Sequence, residues 1–157
     1  MNRKFRIALV LTLCLALTLF GCNKTESESY KPAEDEIALQ IQLKFKEDIG
    51  LLIVEYESNR TGGSGGTCNA DKTLLKHDSL LIYSIYQQSF DNPNEVKNLS
   101  LKFSIITEYV DPNYENIYPE ELTIPMDAIS LDVNFGERYY ITISGDKENG
   151  YTAILTQ

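Results

Sequence analysis

The sequence predicts an all-β domain, a single antiparallel β-sandwich of about seven strands. Three observations carry that expectation. Apolar residues recur with period two in several short segments, Ile37–Phe45 and Leu99–Ile105 being the clearest. Clusters of Gly, Pro, Asn and Asp separate those segments, as turns do. After the N-terminal apolar run, no stretch keeps a 3.6-residue apolar period over the 11 or more residues that a helix requires. Short strands with turn signals between them point to a sandwich or barrel.

The first segment has a different character. Arg3, Lys4 and Arg6 precede an uncharged apolar run from Ile7 to Phe20. A basic n-region followed by an h-region is a secretory signal, and this run is too short for a spanning helix of about 20 residues. It ends in Leu19-Phe20-Gly21-Cys22, which resembles the lipobox of bacterial lipoproteins. The resemblance implies that residues 1–21 are a cleaved signal peptide and that Cys22 carries a diacylglycerol. The protein is then lipid-anchored outside the cytoplasm, at the cell surface or the periplasmic face. Two or more acyl chains hold a protein stably at a bilayer.

Cleavage there removes three of the 14 basic residues and none of the 23 acidic ones, which sets the mature charge at −12. Such a chain is unsuited to nucleic acid, whose phosphates are met by Lys and Arg. Cys14 leaves with the signal and Cys22 carries lipid, so Cys68 is the one remaining thiol and no intrachain disulfide is expected. Residues 22–36 are polar and acidic and read as a disordered tether, which leaves 37–157 as the domain.

Within that domain, Ile37, Leu39, Ile41, Leu43 and Phe45 alternate with mostly polar residues, a strand with one buried face. Lys46–Gly50 supplies turn chemistry and Leu51–Glu57 a second strand, so the two are expected to form a hairpin. Thr61–Thr67, Thr-Gly-Gly-Ser-Gly-Gly-Thr, reads as a flexible loop. At most one short strand is expected near Thr73–Lys76. Leu80–Gln88 has apolar residues on both faces, which suggests a central strand. Leu99–Tyr109 alternates again, and a long Pro-punctuated connection runs from Val110 to about Asp127. Ile129–Phe135, Tyr139–Ile143 and Tyr151–Leu155 complete the set, the last two joined by the turn at Asp146–Gly150.

The stretch Leu131–Ile143, Leu-x-Val-x-Phe-Gly-x-x-Tyr-Tyr-x-x-Ile, resembles the E–F corner of immunoglobulin-like and fibronectin-like domains. That resemblance implies an immunoglobulin-like topology in which Tyr139 or Tyr140 hydrogen-bonds back across the corner. The chain has no Trp, so the Cys-Trp-Cys core of antibody domains is absent.

Chemistry-bearing residues are sparse. The glycine-rich run lacks the Gly-Lys-Ser/Thr ending of a P-loop and precedes no helix. His77 is the only histidine, and with Cys68 it is the one pair from which an envelope enzyme could be built. Zinc needs three or four soft or imidazole ligands, which one His and one Cys do not supply. Ca²⁺ is the one ion the pattern admits, at Asp91–Glu95, at Asp146–Gly150 and above all at Asp111, Asn113 and Glu115. The paired acids Glu120-Glu121, with Asp127 and Asp132, are expected on any acidic surface and do not by themselves specify glycoside hydrolysis.

The connection Tyr109–Pro125 holds three Tyr and three Pro. Long loops on a rigid scaffold often carry function, and Tyr offers broad contact area at low entropic cost. The sequence therefore reads as a non-enzymatic, lipid-anchored binding module for a protein or glycan, with Tyr109, Tyr114 and Tyr118 as contact residues. The alternatives are a structural accessory lipoprotein of an envelope assembly and an envelope enzyme using Cys68 and His77.

Overall fold

A computed structural model describes residues 30–109 and 119–156. The chain is all-β over these residues: nine strands in two sheets, with three short 3-10 turns and no α-helix. No helix among the described residues is long and apolar enough to cross a membrane.

The strands are β1 (Glu36–Phe45), β2 (Leu51–Ser58), β3 (Thr61–Thr67), β4 (Leu80–Tyr86), β5 (Asn98–Ile106), β6 (Thr123–Pro125), β7 (Ile129–Asp132), β8 (Arg138–Asp146) and β9 (Gly150–Thr156). One sheet has the order β4-β1-β8-β9, and the other β3-β2-β5-β6 with β7 also paired to β5. The two extra strands, relative to about seven, are β3 and the three-residue β6.

The period-two segments bury the faces their sequence marks. Ile37, Leu39, Ile41 and Leu43 of β1 and Leu99, Leu101, Phe103 and Ile105 of β5 are fully buried. With Leu52 and Val54 of β2 and Ile141 and Ile143 of β8 they form one core drawn from both sheets. Each such side chain contributes about 1.5–3 kcal/mol by leaving water.

Three expectations are corrected. β1 and β2 are not a hairpin. β1 lies between β4, antiparallel, and β8, parallel, so both its edges are taken. Lys46–Gly50 instead carries the chain from one sheet to the other, with Ile49 buried and bridged to Leu75 and the Gly50 N–H donating to Ile106 O at 2.9 Å.

Thr61–Thr67 is a strand and not a flexible loop. It pairs with β2 along its whole length, from Ser58↔Thr61 to Leu52↔Thr67. Asn59 and Arg60 make the connecting turn, both with positive φ (52° and 68°), the conformation of a two-residue hairpin turn whose twist suits the flanking strands. Tyrosines replace the missing side chains. A Cβ on Gly63 would lie 2.7 Å from Tyr56 Oη, and one on Gly65 2.5 Å from Tyr83 Oη. The two rings meet edge-on at 6.4 Å, so the glycines make room for aromatic packing over the strand.

β4 is an edge strand and not a central one. Leu81, Tyr83 and Ile85 face the core, while Leu80, Ile82 and Tyr86 stand on the outer face in register with Gln42, Gln40 and Glu36 of β1. Apolar residues on both faces therefore mark a partly exposed outer surface.

Between β7 in one sheet and β8 in the other, the chain crosses at residues 133–137. Tyr139 closes this corner, its Oη accepting the Asn134 N–H at 2.7 Å. Tyr140 points outward and is exposed.

Candidate functional site

The outer face of the five-stranded sheet carries an open groove of about 440 Å³. Strand parity builds it. On β2 the residues that alternate with the buried Leu52 and Val54 include Glu55 and Glu57; on β5 those that alternate with Leu99, Leu101 and Phe103 are Ser100 and Lys102. Register then sets two rows across the sheet, Ser64–Glu55–Lys102 and Gly62–Glu57–Ser100. Arg60 from the β2–β3 turn and Ala128 ahead of β7 complete the lining. Farther along the same face Ile53, Ser104 and Ile106 are buried, which confines the open part to the end nearest Arg60.

The groove is polar and formally neutral: two carboxylates, one guanidinium and one ammonium. Lys102 Nζ lies 3.9 Å from Glu55 Oε2 with both side chains half exposed. Exposed pairs at this separation hold geometry weakly, so Glu55 and Lys102 stay available to a ligand. Where Gly62 and Gly63 line the groove, backbone replaces side chain as its wall. Such a surface offers hydrogen-bond donors and acceptors in a plane and no preference for either sign of charge. Its size is that of a small-ligand site, which typically spans about 300–1,000 Å³.

The opposite outer face, on β4-β1-β8-β9, mixes Leu80 and Ile82 with Gln40, Gln42 and Thr142. Arg138 donates to Gln40 Oε1 at 3.0 Å and its guanidinium stands 6.0 Å from the centre of the Tyr140 ring. Gln42 spends its amide on Leu43 O, Asp78 O and Ser79 O.

The residues predicted from sequence fall as follows. Cys22, Asp111, Asn113, Glu115, Tyr114 and Tyr118 lie outside the described residues. Tyr109 is half-buried just beyond β5. Cys68 is an exposed free thiol at the end of β3. No hydrogen bond joins it to His77 among the described residues. The imidazole is held by Asp48, whose Oδ1 lies 2.9 Å from His77 Nδ1 and accepts the His77 N–H at 3.0 Å, while its Oδ2 binds Lys76 Nζ at 2.8 Å. Those hydrogen bonds, from Lys76 first and His77 second, hold the Asp48 carboxyl well below the usual carboxylate range. The Asp beside His77 in sequence, Asp78, is not its partner; the true one is 29 residues away, beyond the reach of spacing rules.

The turn at Asp146–Gly150, one of the calcium candidates, is already satisfied. Asp146 binds Lys46 and accepts the N–H groups of Glu148 and Asn149 and the Asn149 amide. The ammonium stands where a cation would. No group of three or more His, Cys, Asp or Glu among the described residues is placed to hold a metal.

No family model matches this sequence, and no curated protein does. Among solved structures, the chain is similar to a disulfide-locked mutant of intermedilysin with human CD59, at 8% identity and a TM-score of 0.38, over 77% of this chain and 24% of that one. It is similar to the membrane-binding domain of pneumolysin at 10% identity and 0.33, over 78% of this chain and 96% of that one. A structure described as a trapped toxin matches at 13% identity and 0.33, over 78% of this chain and 23% of that one. The chain thus spans about a quarter of the first of these structures.

Proposed function

We propose that this protein is a non-enzymatic binding module, an immunoglobulin-like β-sandwich held at the outer side of a bacterial membrane by lipid on Cys22, and that it binds a glycan or a protein in the groove of the β3-β2-β5 face. The observation that carries the reading is the groove itself: a neutral, polar site of about 440 Å³ built from Glu55, Glu57, Arg60, Ser64, Ser100 and Lys102 on paired strands. Rigid strands fix donors and acceptors better than loops do. Hydroxyl-rich ligands use such a mixture, because each carboxylate accepts and each cation donates without a net charge to match. The corner closed by Tyr139 supports the immunoglobulin-like part of the reading.

The test is capture of glycans and envelope proteins by the full chain, repeated with Glu57→Ala and Lys102→Ala. Each change is expected to weaken capture about tenfold, the loss of one charge-assisted hydrogen bond. Capture unaffected by both would reject the groove. Tyr114→Ala and Tyr118→Ala test the connection as the alternative contact surface. Detergent-phase partitioning of Cys22→Ala against the wild type tests the anchor; an Ala form that still partitions with membranes has another one.

A further inference from the structure

Three of the four exposed large apolar or aromatic side chains among the described residues, Tyr140, Ile154 and Leu155, lie on or beside the last strand. Among the described residues β9 ends the four-stranded sheet and pairs with β8 alone, which places Tyr140 opposite Thr156, Ile141 opposite Leu155 and Thr142 opposite Ile154. An edge strand presents unpaired backbone N–H and C=O groups, and proteins commonly guard such edges with charged side chains, proline or a bulge. β9 reads Gly-Tyr-Thr-Ala-Ile-Leu-Thr, with neither charge nor proline. Ile154 is 51% exposed on its outer face and Leu155 45% exposed on the other parity, so neither face of the strand end is covered.

We infer that β9 is a self-association edge: two copies of this chain pair β9 to β9, antiparallel about a two-fold axis, and join their four-stranded sheets into one of eight strands. An open sheet edge accepts an extended strand, whose main chain completes the ladder. A second copy fits this edge for reasons of charge and register. The chain carries a net charge of −9, so two copies repel over most of their surfaces; β9 is a seven-residue stretch where that repulsion has no source. With the axis at Ala153, Tyr151 stands opposite the partner's Leu155 and Thr152 opposite the partner's Ile154. Each half-exposed aliphatic side chain then meets a side chain of the other copy, and two-fold symmetry makes every contact twice. Aromatic–aliphatic and β-branched pairs of this kind are the favourable cross-strand pairs of sheets.

The experiment is sedimentation of the full chain in mild detergent over a wide concentration range, with Ile154→Lys and Leu155→Lys as edge-breaking variants and thermal unfolding as the control for folding. The wild type is expected to double in protein mass as concentration rises, and each Lys variant to remain monomeric. Register is read independently of those variants: in a Cys68→Ser background, Thr152→Cys mixed with Ile154→Cys is expected to form an intermolecular disulfide that Thr152→Cys alone does not. A wild type that stays monomeric, a dimer indifferent to Ile154→Lys, or an absence of the mixed disulfide overturns the proposal. A monomer that captures another protein through β9 would assign the edge to a different occupant and overturns it equally.

Discussion

Tyr139 Oη accepts the backbone N–H of Asn134 at 2.7 Å and donates to Glu137 Oε2 at 2.8 Å, fastening the crossing between the two sheets. Burial, the largest cause, pushes the phenol up to about 12, while the Tyr139 hydroxyl first and the Asn134 side-chain amide second draw Glu137 below its ordinary value. A phenol raised in the folded state contributes stability that is complete below its unfolded value of 10.0 and lost as pH rises through about 12. Tyr139→Phe is expected to cost about 1 kcal/mol at neutral pH, one net hydrogen bond. It is also expected to flatten part of the alkaline loss between pH 10 and 12, Tyr151 supplying the remainder because burial raises it too. Chemical denaturation across that range checks both.

Acid acts through different groups. Lys46 first and the Asn149 N–H second hold the Asp146 carboxyl below its usual value, as Lys76 and His77 do for Asp48. Depressed carboxylates contribute stability that is present above their unfolded value of 3.8 and lost as pH falls through the lower folded one. Asp146→Asn and Asp48→Asn are therefore each expected to be less stable than wild type at neutral pH. The gap should narrow as pH falls below the unfolded value of 3.8 and close only at the more acid pH where the folded carboxyls are protonated as well. Unfolding midpoints followed from neutral to acid pH test this; a gap that persists in acid would show that geometry, not charge, supplies the difference.

How far the fold can be read from the sequence depends on whether a residue's side chain reports its neighbours. Ile37–Phe45 and Leu99–Ile105 alternate because one face is dry, so their strands and core faces are legible. Thr61–Thr67 carries no such report: its glycines have no side chains, and the Tyr56 and Tyr83 rings that pack over Gly63 and Gly65 come from other strands. β4 misleads for the opposite reason, since Leu80 and Ile82 look buried but stand at a sheet edge. The groove is halfway legible. Glu55, Glu57, Ser100 and Lys102 occupy the polar positions of their strands, but their meeting depends on the β2–β5 register, which no local pattern encodes. The same is true of Asp48 and His77.

Gly63 and Tyr56 form a pair whose coupling can be measured. An alanine Cβ at 63 would sit 2.7 Å from the Tyr56 hydroxyl, which itself donates to Ser89 Oγ at 3.1 Å. Gly63→Ala is expected to cost about 1–2 kcal/mol as the ring is displaced. Tyr56→Phe removes the atom in the way, so Gly63→Ala in that background should cost less than half as much. Urea denaturation of the four proteins in the cycle gives the coupling; strictly additive losses would mean that the glycine is needed for backbone reasons alone.

Gly50 is required for a harder contact. A Cβ there would overlap the carbonyl oxygen of Glu108, and backbone cannot swing aside as a side chain can. The Gly50 N–H is also bonded to Ile106 O across the same approach. Gly50→Ala is expected to cost about 3 kcal/mol, the upper end of ordinary overpacking, and to loosen the crossing between β1 and β2. Amide exchange should report the loosening at Ile49 and Leu75, which bridge each other, and at Gly50, bonded to Ile106 O.

Arg60 brings stability and binding into opposition. It sits at φ 68°, in the left-handed region, as the second residue of a two-residue turn, where a side chain costs about 1 kcal/mol and glycine costs nothing sterically. A protein selected for stability alone would place glycine there. Arg60 instead puts a guanidinium on the rim of the groove. Arg60→Gly is expected to raise stability by about 0.5–1 kcal/mol in thermal or urea unfolding, a little less than the steric cost because glycine also loosens the unfolded chain. The same variant is expected to lose partner capture, and Arg60→Lys to recover part of it, since the ammonium restores charge without the planar fork. A variant both more stable and fully able to bind would remove Arg60 from the groove's function and leave its backbone strain without a compensating role.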